Sequence, residues 1–538
     1  MNGDPVRIRL EPLAVEFEIA RGGSVVAALA AHGFEFPCGG MGECGGCGVR
    51  ILSGSLPITE ADRSIFSAQE LAAGWRLACQ ARPQSPLVLE CAQWRMEILT
   101  DTTTGVVPSA PTEAKTPSRT NKKIAIDLGT TTIAAQFIDV ATGDVLGVET
   151  LLNPQAAFGS DVMSRIRAAL EGSDLTSPIR TALGALVTRL AAGHESQVTE
   201  VLLVGNTVMH HLFCGLSVEP LSHVPFASPH LAEQRFTPRD LAWNLPNDCI
   251  VRFARCIGGF VGSDILAGII ASGIAQRDEL TALVDLGTNG EIAIGNRHGI
   301  VCASTAAGPA FEAGAIRMGM RAVTGAIAYV ALRDGRLHAT VIGDAAPRGI
   351  CGSGVVDAVA AGLRSDAILP NGRVTNGTKL FPVAEPVVLY QSDIRELQLA
   401  KAAIAAGFRL LLKQLRAPVQ QRRSGQVSAL KGHDFSRAIS TANEEEALAP
   451  EGTTTVSSIH LAGAFGNYVQ IDSAIRIGLL EFPHNLIHAA GNTALRGAKM
   501  LLLAEREPTL PLIEHISLAS DPAFQDEFTA CMTFQSPS

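Results

Sequence analysis

Four cysteines near the start of the chain have the spacing of iron–sulfur ligands. Cys38, Cys44 and Cys47 lie in one glycine-rich loop, and Cys79 follows in a later segment. A [2Fe–2S] cluster needs four thiolates, and three from one loop plus a distant fourth is a known arrangement. Glycine suits such a loop because it tolerates positive φ angles without steric cost. The sequence therefore predicts a one-electron redox centre held by these four residues.

The same thiols have a second interpretation, a structural zinc site or cysteines that merely lie close together. Zinc sites usually present two separated Cys-x2-Cys pairs, and this loop offers one such pair, Cys44 and Cys47. The gap between Cys38 and Cys44 is one residue longer than the plant-type gap. It resembles the loops of adrenodoxin-like ferredoxins and of the ferredoxin domain in sodium-pumping quinone reductases. The cluster is the favoured interpretation, and Cys91 is predicted to be a buried apolar residue rather than a ligand.

The segments that must position these cysteines predict an α+β, ferredoxin-like (β-grasp) domain over residues 1–99. Residues 6–10 and 15–19 alternate apolar and polar side chains like a hairpin, and a short helix is expected after Ser24. Residues 100–121 are rich in proline, serine and threonine, which predicts a flexible linker. A linker of this length has a reach of roughly 25 Å. It would let the ferredoxin domain move between docking surfaces, and a passive spacer is the alternative.

Composition narrows the class of protein. The 538 residues are 47% hydrophobic and only 5% aromatic, which predicts several domains with aliphatic α/β cores. A net charge of −9 argues against a nucleic-acid partner. The N-terminal residues have no apolar signal core, so a cytoplasmic protein is expected. The apolar stretch 257–275 contains five glycines and predicts a loop and a core helix rather than a membrane span.

A short polar motif occurs twice after the linker, each time between apolar strand-like segments. Its two copies are Asp127-Leu-Gly129-Thr130-Thr131-Thr132 and Asp285-Leu-Gly287-Thr288-Asn289-Gly-Glu. The glycine allows a sharp turn, so that backbone N–H groups and hydroxyls can face an anion. The aspartate ends the incoming strand and is placed to hold Mg²⁺ through water. The repeat predicts a nucleotide gripped from two sides, and two ordinary hairpins of a duplicated sheet are the alternative.

These motifs resemble the two phosphate motifs of the actin, heat-shock ATPase and sugar-kinase (ASKHA) superfamily, which implies an α/β ATPase domain with duplicated subdomains over residues 122–538. Two further glycine-rich segments fit the same cleft. The run Gly463, Ala464, Phe465 and Gly466 resembles the adenosine motif, and Gly352 and Ser353 open a helix whose dipole favours an anion. For both segments the alternative is close backbone packing by glycine. Residues 417–458 lose the apolar period and predict a solvated insertion.

The pairing of a ferredoxin loop with an ASKHA domain resembles the reductive activators of corrinoid proteins. The resemblance covers nearly the whole chain, and it includes the motifs Asn153-Pro-Gln, Val204-Gly-Asn-Thr, Gly259-Phe-Val-Gly-Ser-Asp264, Ala307-Gly-Pro-Ala-Phe-Glu312 and Leu461-Ala-Gly-Ala-Phe-Gly-Asn. The segment Glu312-Ala-Gly-Ala departs from the Glu-Gly-Ala pattern of the family.

This resemblance implies an ATP-hydrolysing protein that passes one electron from the cluster to Co(II) of a corrinoid protein, regenerating Co(I). Asp127 and Asp285 would position Mg²⁺–ATP. The implied partners are a corrinoid protein or corrinoid methyltransferase and an upstream electron donor. A homodimer is compatible with the resemblance, but no residue pattern supports it.

Two other classes of protein are weighed against this prediction. An electron-transfer reductase component would need a flavin or nicotinamide fingerprint, and we find neither an Arg-x-Tyr-Ser-type segment nor a Gly-x-Gly-x-x-Gly after a strand. A small-molecule kinase or ATP sensor with the cluster as a redox switch would transfer phosphate to a metabolite and tolerate loss of the cluster.

Overall fold

The computed structural model describes most of the chain. The described ranges are 5–11, 15–31, 42, 47–66, 68–91, 121–159, 161–287, 289–322, 325–344, 346–416, 456–506 and 508–534. Cys38, Cys44 and Thr288 lie outside these residues. So do all of the predicted linker except Asn121 and most of the predicted insertion.

The N-terminal region forms a five-stranded mixed sheet with three short helices. Its elements are β1 (Val6–Glu11), β2 (Val15–Ile19), α1 (Val26–Ala31), β3 (Gly48–Ser53), α2 (Glu60–Ile65), α3 (Ala68–Ala72), β4 (Trp75–Leu77) and β5 (Leu87–Cys91), in the strand order β2-β1-β5-β3-β4. β1 and β2 form the predicted antiparallel hairpin, and β1 runs parallel to β5. Val6, Ile8 and Leu10 alternate along β1 and are buried, because one face of the sheet covers the core.

The next region builds a six-stranded sheet. Its elements are β6 (Lys122–Leu128), β7 (Thr132–Asp139), β8 (Val145–Leu152), α4 (Val162–Leu170), α5 (Thr176–Leu190), β9 (Val198–Val204), α6 (Thr207–Cys214), β10 (Gln234–Phe236), β11 (Ile250–Phe253) and α7 (Ser263–Ser272), in the strand order β10-β11-β9-β6-β7-β8. We call this region the first half of the predicted ASKHA domain.

The remaining region, the second half, builds another six-stranded sheet and two small sheets. Its elements are β12 (Thr281–Leu286), β13 (Gly290–Asn296), β14 (Gly299–Thr305), β15 (Ala326–Arg333), β16 (Arg336–Val341), β17 (Gly349–Ile350), α8 (Gly352–Arg364), β18 (Leu380–Ala384), β19 (Val387–Tyr390), α9 (Gln391–Arg416), β20 (Ser458–Ala462), α10 (Gly463–Tyr468), α11 (Ile471–Arg476), β21 (Ile487–Gly491), α12 (Thr493–Leu503), β22 (Ile513–His515) and α13 (Phe524–Ala530). The strand order of its large sheet is β21-β20-β12-β13-β14-β22.

Five strands of each large sheet share one topology. In the first half β6 pairs antiparallel with β7, β7 antiparallel with β8, and β6 parallel with β9, which in turn runs parallel to β11. In the second half β12, β13, β14, β20 and β21 repeat these relations in the same order. The duplicated motif therefore occupies the same hairpin in two copies of one sheet.

The two halves are linked by an exchange of helices. α7 follows the first sheet but contributes Ile265 and Ile269 to a core with the second sheet, whereas α12 follows the second sheet but packs Ala494, Leu495 and Ala498 on the first. α7 and α12 also pack against each other. A Cβ at Gly497 would overlap the carbonyl oxygen of Ala267, so glycine is needed for this close crossing. No helix in the described ranges is long and apolar enough to cross a membrane.

Candidate functional site

A cavity of about 900 Å³ lies between the two halves, at the carboxyl ends of β6 and β12. Many of the predicted site residues line it, namely Asp127, Gly129, Thr130, Thr131, Thr132, Asp285, Gly287, Asn289, Gly352, Ser353, Gly463 and Phe465. Gly466 does not line the cavity and packs against Leu461. Ala464 is the second residue of α10, after Gly463, and its side chain lies outside the described part of the structure. The volume is within the range of small-molecule and nucleotide sites.

The first-half hairpin presents hydrogen-bond donors to the cavity. A Cβ at Gly129 would lie 2.5 Å from the carbonyl oxygen of Thr132, so the turn requires glycine. The Asn153 amide donates to the Gly129 carbonyl at 2.9 Å, and the Asn206 amide donates to the Thr130 hydroxyl at 2.9 Å. This turn is therefore held in place by asparagines from outside the hairpin, with its threonines facing the cavity.

The second-half hairpin presents carboxylates instead. Asp285 on β12 stands opposite Glu291 on β13 in the antiparallel register, and Glu291 accepts a hydrogen bond from Ser304 at 3.2 Å. The backbone of the adenosine-like segment approaches closely, because a Cβ at Gly463 would lie 2.5 Å from Asp285 Oδ1. Gly463 also has φ +81°, a conformation that favours glycine.

Four carboxyl groups interact in this part of the cavity, of which Glu291 is buried and Asp127, Asp264 and Asp285 are half-buried. Burial raises the pKa of Asp127 to about 6, although a hydrogen bond from Asn492 at 2.8 Å opposes the shift. Burial and the charge of Asp127 raise the pKa of Asp285 to about 7. Burial and the charge of Asp285 raise the pKa of Asp264, in the first turn of α7, to about 8. The pKa of Glu291 is also well above its usual range, because of burial and its neighbours Asp264 and Asp285.

This concentration of negative charge fits a bound cation. Like charges in a buried site disfavour ionisation, and a divalent cation reverses that effect. No group of three His, Cys, Asp or Glu side chains in the described ranges is close enough to ligate one metal ion directly. The arrangement therefore fits Mg²⁺ held through water, which is how this ion is commonly bound beside phosphates.

Other residues of the cavity lining are aromatic and basic. The rings of Phe311 and Phe465 lie 4.8 Å apart between centroids, and Tyr468 lines the same region. A Cβ at Gly352 would overlap the Phe311 carbonyl oxygen, so α8 begins in contact with this backbone. Arg321 also lines the cavity, and burial lowers the pKa of its guanidinium to about 9. An apolar region with one cation suits a nucleobase and its sugar, which need stacking and few polar contacts.

Two of the four predicted cluster ligands lie in the described part of the ferredoxin-like domain. Cys47 and Cys79 are both buried, and the Ala78 N–H donates to the Cys47 carbonyl at 2.9 Å. The structure therefore brings the start of β3 and the segment after β4 side by side. The Asp62 carboxylate accepts a hydrogen bond from the Leu77 N–H at 2.7 Å, which anchors the segment that carries Cys79. Cys38 and Cys44 stay predictions.

Several cavity residues were not predicted as site residues from sequence. Asp264 and Glu291 belong to motifs that were recognised, but no role was assigned to them. Asn492 and Arg321 had no sequence signal, because neither belongs to a repeated motif. His211, four residues after the Val204-Gly-Asn-Thr motif, is buried and hydrogen-bonded to the Thr207 carbonyl and the Ser228 hydroxyl, which indicates a structural residue.

The fold and the cavity define an iron–sulfur protein fused to an ASKHA nucleotide-binding domain. A family model described as the 2Fe–2S iron–sulfur cluster binding domain matches residues 8–84, and one described as the RACo middle region matches residues 123–277. A third, described as the C-terminal domain of RACo, the ASKHA domain, matches residues 279–429 and 446–537. These matches support a [2Fe–2S] cluster and nucleotide binding, and they confirm the predicted fold class.

The relatives identify the family. The chain is similar to the corrinoid activation enzyme RamQ of Eubacterium limosum, with 32% identity over 446 residues that cover 75% of this chain and 69% of that one. It is 25% identical over 421 residues, 71% of this chain and 69% of that one, to the Co(II) methylated amine-specific corrinoid protein reductase of Methanosarcina barkeri. A solved structure, the reductive activator for corrinoid, iron–sulfur protein, aligns over 98% of both chains with a TM-score of 0.62 and 24% identity. The chain belongs to the family of reductive activators of corrinoid proteins.

Proposed function

We propose that this protein uses ATP to reduce the Co(II) corrinoid of a partner protein to Co(I), one electron at a time. The observation that carries the proposal is the cavity between the halves, where two phosphate-type hairpins meet four interacting carboxyl groups on a chain with a ferredoxin-like domain. When bound, the [2Fe–2S] cluster would supply the electron, and Cys38, Cys44, Cys47 and Cys79 would hold it.

The reaction needs an energy source because plant-type clusters have potentials near roughly −400 mV, and Co(I) corrinoids are reached at lower potentials than ferredoxins typically supply. Each ~100 mV uphill costs about 2.3 kcal/mol per electron. A ~10⁴-fold preference for one state of the partner is worth about 5.5 kcal/mol. We infer that the ASKHA domain binds the Co(II) form in a way that disfavours an axial cobalt ligand, and that ATP hydrolysis resets the complex.

The residues of the cavity take defined roles in this proposal. Asp127 and Asp285 hold Mg²⁺ through water, while Thr130 and the turn at Gly287 bind phosphate oxygens. Phe465 and Ser353 face the nucleoside. The physiological electron donor, a homodimer and a cytoplasmic location remain predictions from sequence.

The experiment compares two variants, one that should prevent electron delivery and one that should prevent the use of ATP. With reduced protein, ATP and a Co(II) corrinoid protein, Co(I) is measured by its absorption. We expect Cys79→Ser to abolish Co(I) formation while ATP turnover persists, and Asp285→Asn to keep the cluster spectrum while losing the ATP-dependent gain. Cys91→Ser serves as the control and should behave like the wild type.

Wild-type Co(I) formation that does not depend on ATP would refute the proposal. Phosphoryl transfer to a small metabolite that survives Cys79→Ser would favour the kinase or sensor alternative instead.

A further inference from the structure

Glu312 differs from the other carboxylates of the cavity. Asp127, Asp264, Asp285 and Glu291 form one interacting group. Glu312 also lines the cavity, but it interacts with a cation, Arg165. Burial lowers the pKa of Arg165, and the negative charges of Asp161 and Glu312 raise it. One carboxylate is thus set apart from the group that fits Mg²⁺.

Glu312 has a fixed position in the second half. It ends a 3₁₀ turn, Pro309–Glu312, that follows β14. The preceding residue, Phe311, is 2% exposed, stacks near Phe465 and has its carbonyl oxygen against the start of α8. The carboxylate is therefore carried by a packed segment rather than a loose loop, as a catalytic group requires.

Arg165 lies in the first half, and its charge interacts with that of Glu312. It is fully buried on α4, and its Nε donates to the Gly159 carbonyl at 2.9 Å. Its Nη1 lies 3.7 Å from the sulfur of Met209. The amide nitrogen of Asn153 lies 3.4 Å from the same sulfur and also donates a hydrogen bond to the Gly129 carbonyl. The Nη2 of Arg165 is buried and makes no hydrogen bond. Arg165 thus lies beside the first phosphate-type hairpin with a free donor, and Glu312 is within its electrostatic reach.

We propose that Glu312 is the catalytic residue that orients and deprotonates the water that attacks the γ-phosphate, and that Arg165 is its positioning residue. This inference rests on the proposed ATP hydrolysis. Hydrolysis of a γ-phosphate is mostly a matter of positioning, and a residue that orients the attacking water is a recurring part of such sites. Glu312 suits this role because the other cavity carboxylates surround the place of the cation.

The step balances without a further reagent. The water oxygen forms a bond to the γ-phosphorus while its proton moves to the Glu312 carboxylate. The bond between the γ-phosphorus and the β–γ bridging oxygen breaks, and ADP leaves with the electron pair. The charge of Arg165 attracts the Glu312 carboxylate, because opposite charges interact favourably.

The first test is Glu312→Gln in the full chain. We expect kcat for ATP hydrolysis to fall about 10²- to 10³-fold, as is usual for loss of a general base. The Kd for ATP and the Mg²⁺ concentration at half-maximal activity should stay within about threefold of wild type, whereas Asp285→Asn should raise the Mg²⁺ requirement. A wild-type kcat in Glu312→Gln, or a raised Mg²⁺ requirement in place of a lower kcat, would overturn the assignment.

The second test addresses Arg165. We expect Arg165→Met to lower kcat about tenfold with little change in KM, and Arg165→Lys to restore most of the loss because it retains the charge. The rise in melting temperature on adding nucleotide reports whether each variant is folded. If Arg165→Met does not fold, the Glu312→Gln result decides. Equal kcat in the Met and Lys variants would overturn the positioning role, and a wild-type protein that hydrolyses no ATP would overturn the proposed function as well.

Discussion

The two halves of the ASKHA domain share a sheet topology but differ in the charge around their equivalent aspartates. Asp127 stands opposite Ala134 and receives a hydrogen bond from Asn492 at the start of α12. Asp285 stands opposite Glu291 and interacts with Asp264 at the start of α7. One copy of the motif thus places an amide donor beside its aspartate and the other places two more carboxyl groups there, while the two aspartates also interact with each other.

This difference shows how a duplicated scaffold acquires two roles. Burial is the main cause that raises the pKa of both Asp127, to about 6, and Asp285, to about 7, and a hydrogen bond from Asn492 opposes the shift only at Asp127. We infer that the second-half hairpin sets the position of the cation and that the first-half hairpin, with its donors, grips the phosphates. Both helices that supply the distinguishing residues are exchanged between the halves, so each half determines the chemistry of the other.

The largest expected effect is a difference in Mg²⁺ affinity between variants of Asp285 and Asp127. We expect Asp285→Asn to weaken Mg²⁺ affinity by on the order of 10–100-fold, the usual cost of losing a group that orients a metal through a second shell. Asp127→Asn should lower Mg²⁺ affinity less, because the Asp127 carboxylate already accepts a hydrogen bond from the Asn492 amide. Measuring ATP turnover against Mg²⁺ concentration in both variants tests this. Equal losses would mean that the two hairpins hold the cation equally.

The second prediction concerns the pH dependence of stability without nucleotide. The raised pKa values mean that the folded protein retains protons which the unfolded chain releases above about pH 4. Stability should therefore fall as the pH rises from about 5 to about 8, by on the order of 2–5 kcal/mol. Urea unfolding at both pH values measures this, and Mg²⁺–ATP should remove the loss. Asp264→Asn should flatten the dependence, and a protein equally stable at both pH values would contradict the burial of these groups.

A smaller effect is expected where the exchanged helices cross. Gly497→Ala would push a methyl group into the Ala267 carbonyl and should cost about 1–3 kcal/mol, as overpacking usually does. The control is Gly147→Ala in β8, where a Cβ would lie 3.3 Å from the terminal methyl of Leu190 and little should change. Chemical denaturation gives both values. A harmless Gly497→Ala would show that the halves can separate slightly at no cost.

The smallest effect is expected from a substitution that gives the first half an additional carboxylate, like those of the second half. Asn492→Asp keeps the N-cap of α12, which accepts from the Leu495 N–H, and adds a carboxylate beside Asp127. We expect the Mg²⁺ requirement to fall a few-fold because the added charge attracts the cation. Asn492→Ala, the comparison variant, should lose about 1 kcal/mol of stability with the cap and leave the Mg²⁺ requirement unchanged or higher. An unchanged requirement in Asn492→Asp would mean that the cation is bound away from Asp127.

Local patterns predicted the fold class and much of the cavity, whereas the charge difference between the halves was out of reach. Asp127 and Asp285 lie one residue before the ends of their strands, and Gly463 directly follows β20, so their motifs are visible in a few consecutive residues. Asn492 bonds Asp127 across 365 positions of sequence, and nothing near either residue indicates the contact. Asp264 lies in a recognised motif, but its place beside Asp285 depends on the exchange of α7 between the sheets.

The exchange of helices also limits how this chain can be divided. A fragment that ends near residue 277 would lack α12, so Ala125, Leu202 and Val204 would lose the partner that covers that face of the first sheet. The complementary fragment would lose the partners that Leu283 and Ala293 find on α7. Although separate family models cover residues 123–277 and the later region, each piece alone would leave part of its core uncovered. Synthesis must therefore reach Leu503 before the sheet begun at Lys122 has its complete core.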